Sequence, residues 1–180
     1  TTTGTSETPS RQALFTCRPA RRSDELGCAK RILSTVARRA YRRPLAEGDV
    51  KTLLGFFTQA RSRGTFDEGI QSGLERILAA PDFLLRMEHD PPQATAGTAH
   101  RLGDLELASR LSFFIWSSIP DDALLDLASR GRLHQSEVLV QQVRRMLADR
   151  RANSLVENFA SQWLALRNLR SKNPNNSLFP

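Results

Sequence analysis

Two groupings along this 180-residue chain contain residue types able to do chemistry, and each also has a plainer structural reading. The first is Arg38-Arg39-Ala40-Tyr41-Arg42-Arg43, four guanidiniums and a phenol within six positions. Arginine pairs bidentately with phosphate and an aromatic ring stacks on bases, so the run has the ingredients of a nucleic-acid contact. Arginines that close a helix also neutralise the carbonyls of its last turn, and then need no partner. The run is short and has a single aromatic, so the helix-end reading ranks first. The second grouping is Glu106 and Arg110, one helical turn apart in the most apolar stretch of the chain. They can pair at that spacing, and burial would oblige them to. A buried structural ion pair is the expectation, and a functional carboxylate in an apolar wall is its alternative.

Cysteine and histidine add little reactivity. Cys17 and Cys28 are the only cysteines, and they bracket Arg18-Pro19-Ala20-Arg21-Arg22. This is neither a zinc spacing nor a Cys-x-x-Cys redox pair. A proline-containing loop beside a helix start suits a disulfide, stabilising by roughly 3 kcal/mol at most, and a disulfide would imply an oxidising compartment. Two unpaired thiols are the other reading. His89, His100 and His134 fall in expected loops and share no helical face, so surface histidines are expected rather than a metal site. The chain also has no glycine-rich phosphate loop, G-x-S-x-G elbow, H-E-x-x-H pair or Cys-x-x-Cys-His haem attachment.

The net charge of +7 is local, because residues 1–63 carry +8 and the remainder −1. Only Lys30, Lys51 and Lys172 are lysines among the 26 basic residues. That preference suits carboxylate and phosphate partners, and a GC-rich genome would give the same bias. With 39% hydrophobic residues the composition is that of an ordinary globular chain, and no apolar run approaches the ~18 residues of a spanning helix. The opening Thr1 and the closing Leu178-Phe179-Pro180 suggest a segment of a longer protein.

The elements that must position these residues are helical throughout. Residues 1–13 read as a polar linker, with Thr1 to Ser10 small and aperiodic. Ser23 or Asp24 can cap a helix with the stripe Leu26, Ala29, Ile32, Leu33, Val36 and Ala40, stopped by Pro44. Further stripes are Val50, Leu53, Leu54, Phe57 and then Ile70, Leu74, Ile77, Leu78, with Pro81 opening a short helix. The proline-rich stretch 91–101 separates an N-terminal helical domain, 14–90, from a C-terminal one, 102–169. Asp104 to Trp116 is apolar on nearly every side, which predicts a central helix with Leu111, Phe114 and Ile115 buried. Ser118-Ile119-Pro120-Asp121-Asp122 supplies a cap and an Asp-rich first turn for the next helix, Ser136 can cap the one after, and a last helix is expected over 151–166 before an irregular tail, 170–180. No segment alternates with period two, so the fold class is all-α, an irregular bundle of about seven or eight helices.

Two long motifs carry a resemblance. They are Cys28-Ala29-Lys30-Arg31-Ile32-Leu33, followed by Ala37 to Pro44, and Glu106 to Asp122 (ELASRLSFFIWSSIPDD), supported by Asn158 to Leu164. Here the sequence resembles the two adjoining helical domains of unknown function in large exported proteins of planctomycete type, often linked to c-type cytochrome segments. The resemblance implies that Cys17 and Cys28 stand where such proteins carry cysteines, which favours their disulfide and a periplasmic or envelope location. It also implies that c-type haem belongs to other parts of the polypeptide, with no cofactor in this segment. Implied partners are the other domains of the same protein and a cytochrome. The expected role is then a non-catalytic scaffold or interaction module. The rival is part of a redox or polymer-degrading enzyme whose site is completed by further domains, and a basic nucleic-acid binder comes third.

Overall fold

The computed structural model describes residues 8–86, 88 and 97–166, and these are α-helical without a strand. The chain divides into two compact units, 1–98 and 99–180. In the first, α1 (Pro9–Leu14), α2 (Glu25–Tyr41), α3 (Glu47–Arg61), α4 (Phe66–Leu78) and α5 (Pro81–Leu84) surround one core. Ala29, Ile32, Leu33 and Ala37 of α2 are fully buried, one stripe at helical spacing, against Leu53 and Phe57 of α3 and Ile70 and Ile77 of α4. Helix α4 approaches α3 at Gly69 and α2 at Gly73 closely because neither glycine has a side chain. A Cβ on Gly69 would lie 2.7 Å from the Phe57 ring, and one on Gly73 2.6 Å from Leu33. Thr65 and Glu68 form a reciprocal capping box that starts α4.

Several local expectations change in this unit. Residues 9–13 belong to helix α1 rather than to a linker, because Pro9 opens the helix, Thr8 caps it and Arg11 pairs with Asp67. Asp24 holds the N-cap position of α2 but makes no side-chain capping bond, and a 3₁₀ turn over Arg22–Asp24 runs straight into the helix. Cys17 and Cys28 are disulfide-bonded with Cα atoms 5.9 Å apart, so the loop before α2 is fastened to the buried face of that helix.

The second unit comprises α6 (Asp104–Trp116), α7 (Asp122–Ser129), α8 (Ser136–Ala148) and a short α9 (Ser161–Trp163). Ala108, Ile115, Trp116, Leu124, Ala128, Leu133 and Met146 make its core. Asp121 caps α7 by accepting from the Leu124 N–H, whereas Ser136 is the first residue of α8 and provides no cap. Helix α6 does have an outer side, contrary to the sequence expectation. Ile115 is buried, Leu111 is half-buried and Phe114 is 53% exposed. The continuous helix expected over 151–166 is also broken. A 3₁₀ turn (Arg150–Ala152) precedes a π-helical turn (Leu155–Ala160), where the Ser161 N–H and Oγ both reach the Val156 carbonyl five residues back. Residues 170–180 lie outside the described residues, as does most of 91–101.

Candidate interaction surface

The arginine run divides at the end of α2. Arg42 adopts the left-handed conformation at φ 57° and is 8% exposed. Its guanidinium donates to the carbonyls of Ala40 (3.0 Å), Asp82 and Leu85 (2.8 Å), stitching the end of α2 to α5. Burial lowers its pKa, with Arg86 adding repulsion. Arg43 grips Asp49 at 2.7 and 3.2 Å and also donates to Asp82. The Asp49 hydrogen bonds raise the Arg43 pKa against the cost of burial, and Arg43 in turn holds the Asp49 carboxyl below its usual range. Tyr41 is buried and its phenol pKa is raised by that burial, so the ring offers no open face for a base. Arg38 is half-buried and Arg39 exposed. The four arginines therefore do not form one open basic patch; two are spent on carbonyls and carboxylates of their own unit.

Glu106 and Arg110 are not a buried pair either. Arg110 is exposed and Glu106 half-buried, and the Glu106 carboxylate accepts from the Gly103 N–H at 2.8 Å, capping α6. His134, expected on the surface, is partly enclosed. Its Nδ1 contacts Asp104, whose other oxygen accepts from the Leu133 N–H at 2.7 Å. This latches the α7–α8 loop to the start of α6. His100 is exposed and His89 lies outside the described residues. Among the described residues no three His, Cys, Asp or Glu side chains are grouped to hold a metal ion, and no helix is long and apolar enough to cross a membrane.

A polar clasp around Trp116 was missed in the sequence. The Arg151 guanidinium lies 3.5 Å from the indole centroid and that of Arg145 5.6 Å. Arg145 grips Asp121 bidentately at 2.6 and 3.1 Å, and Arg151 grips Asp149. Burial alone would raise the Asp121 pKa, but hydrogen bonds from Arg145 and the Leu124 N–H pull it below the usual carboxylate value. Asp149 is lowered mainly by its hydrogen bonds from Arg151. Asp121 lies 24 positions before Arg145 and Trp116 lies further still from both arginines, although Asp149 and Arg151 are near neighbours, and only the motif Pro120-Asp121-Asp122 marked one end of the network.

Beside the clasp the second unit leaves aromatic surface uncovered. Phe113 and Phe114 of α6, Asn158 and Phe159 of the π turn, and Trp163 of α9 line a cleft of about 490 Å³. Phe114 meets Phe159 edge-on at 5.3 Å, and Phe159 stacks on Trp163 at 6.0 Å. The three rings are 53%, 47% and 75% exposed. Asn158 donates to the Ser117 hydroxyl at 2.8 Å, tying the π turn to the left-handed residue that ends α6. The arrangement is an exposed aromatic face, three rings edged by amide and hydroxyl groups, without a nucleophile–base pair among the lining residues.

Residues 28–88 match the family PSD5, described as a protein of unknown function (DUF1595), and residues 102–180 match PSD4, described as a protein of unknown function (DUF1592). No curated protein and no solved structure matches the chain.

Proposed function

Because the chain carries two adjoining domains of unknown function, of the DUF1595 and DUF1592 types, its role has to be read from its surfaces, and we propose that it is a non-catalytic helical scaffold, an interaction module of an exported, cytochrome-associated protein. The observation that carries the reading is the aromatic ladder Phe114, Phe159 and Trp163, exposed together on the second unit. A monomer gains by burying such rings, and a contiguous exposed apolar patch marks a surface that another protein surface covers. The Cys17–Cys28 disulfide supports export, since such bonds persist in oxidising compartments. The cytochrome association rests on the resemblance of the two long motifs.

The test uses the intact natural protein. Its absorption spectrum should carry the bands of c-type haem, and Trp163 should be more shielded from acrylamide quenching than in the 180-residue chain, while the buried Trp116 contributes little in either. Trp163→Ser should weaken the association of this segment with the rest of the protein and leave its helicity by circular dichroism unchanged. A haem-free spectrum would remove the cytochrome link. Equal quenching of Trp163 in both forms would remove the interaction face.

A further inference from the structure

We propose that the groove between α2 and α3 docks an acidic amphipathic helix of a partner protein. The groove has a volume of about 830 Å³ and lies entirely within the first unit, so it is a surface separate from the aromatic cleft. Its floor is apolar, formed by Leu26 of α2 and by Val50 and Leu54 of α3, and Leu26 is 52% exposed. Along α3 the lining residues recur at one-turn intervals from Glu47 to Gln59, a straight stripe of about 18 Å that matches three to four turns of a second helix.

Two features fix the occupant. Lys30 and Lys51 edge the groove, one from each helix, and neither has an ionic or hydrogen-bonding partner among the described residues. They are two of only three lysines in an arginine-dominated chain, and residues 1–63 around them carry a net charge of +8. The one acidic group of the lining, Glu47, is accounted for by its place in the first turn of α3, where the helix end stabilises it. Unpaired ammonium groups flanking an apolar floor complement an apolar stripe flanked by Asp or Glu. The second feature is Gly55, in the middle of α3. A glycine there weakens the helix relative to alanine. Gly69 and Gly73 of α4 are explained by internal packing, but nothing lies within 4 Å of a Cβ built on Gly55, which lines the groove. Its bare backbone lets another helix approach closely.

The test measures fluorescence anisotropy of a labelled peptide of about four helical turns, with leucines at i, i+3, i+4 and i+7 flanked by glutamates, against the 180-residue chain. The expected result is micromolar binding that weakens at least tenfold with Lys30→Glu plus Lys51→Glu, and at least tenfold with Gly55→Leu. The Gly55→Leu change fills the approach path while favouring the helix, and circular dichroism verifies the fold of each variant. A counterpart peptide with lysines for glutamates should bind the wild type at least tenfold more weakly and prefer the double-glutamate variant. No binding of the acidic peptide, equal binding of both peptides, or indifference to Gly55→Leu overturns the proposal. So does a Gly55-dependent dimer in sedimentation velocity, which would assign the groove to a second copy. Displacement of the peptide by dodecanoate at lower concentration than the peptide itself requires would assign it to apolar carboxylates instead.

Discussion

The indole N–H of Trp116 donates to the carbonyl oxygen of Met146 across 2.9 Å, and both residues are buried. The bond joins the last residue of α6 to the last turn of α8, while Arg145 and Arg151 cover the ring. Trp116→Phe keeps an aromatic ring but leaves the Met146 carbonyl only its 3.3 Å bond from the Asp149 N–H, which should cost about 0.5–1.5 kcal/mol in urea denaturation. An unchanged midpoint would mean that water replaces the indole.

Arg42 is the corresponding fastener of the first unit. Arg42→Ala removes the donors of the Ala40, Asp82 and Leu85 carbonyls and keeps a Cβ in the left-handed region, so a loss of about 2–4 kcal/mol is expected. Arg42→Gly relieves the backbone but not the carbonyls and should fall in between. The exposed Arg39→Ala should stay within about 0.5 kcal/mol. If all three behave alike in chemical denaturation, the guanidinium does not hold α5.

Thiol titration of the denatured, unreduced natural protein should find close to no free thiol at Cys17 and Cys28. Reduction should lower stability by up to roughly 3 kcal/mol, the loop-closure contribution. Two titratable thiols would remove the bond and, with it, the physical support for an oxidising compartment.

The two sides of α6 separate in alanine substitution. Ile115→Ala should cost about 2–5 kcal/mol, the range for a large-to-small change in a core. Phe114→Ala, at a half-open site, should cost less than about 1 kcal/mol in the isolated chain. Equal losses in thermal melts would place Phe114 inside the core after all.

Asp121 makes the second unit acid-sensitive. Its pKa is lowered in the folded state, so its contribution is complete above its usual value of 3.8 and is lost as pH falls through the lower folded value. Stability of this unit should therefore be flat on this account from neutrality to about pH 5 and should decline below about pH 4. Asp121→Asn should lower stability at neutral pH and flatten the acid limb of the melting temperature. A variant with the wild-type acid limb would show that Arg145 gains nothing from the carboxylate.

The helices were legible where burial falls on one stripe, as along Ala29, Ile32, Leu33 and Ala40, although Leu26 of the same expected stripe is exposed and Ala37, outside it, is buried. Phe114 was not, because α6 is apolar around its circumference and periodicity then says nothing about which side faces outward. Arg42 read as one of four cations closing α2, and it does reach the Ala40 carbonyl there, but its burial was not legible because the other carbonyls that draw it inward come from Asp82 and Leu85, some 40 positions away. The groove lysines were visible as a rarity in composition, and only the packing of α2 beside α3 puts them on one rim. The π turn left no trace in the sequence pattern, because Leu155, Val156 and Phe159 fit an ordinary helix equally well.

A π turn holds one residue more per closed ring than the α-helix around it, so Leu155–Ala160 is geometrically a single-residue insertion whose register is never recovered downstream. Each α-helical residue advances about 100° around the axis. Were the turn to close as an α-helix with all its residues kept, Trp163 would swing by about that angle relative to the chain before Leu155, whereas deleting Glu157 would close the same helix and leave the direction of Trp163, which follows it together with its stacking partner Phe159, nearly unchanged. The irregular turn works as an angular offset: it sets the azimuth at which the most exposed ring of the unit meets its surroundings.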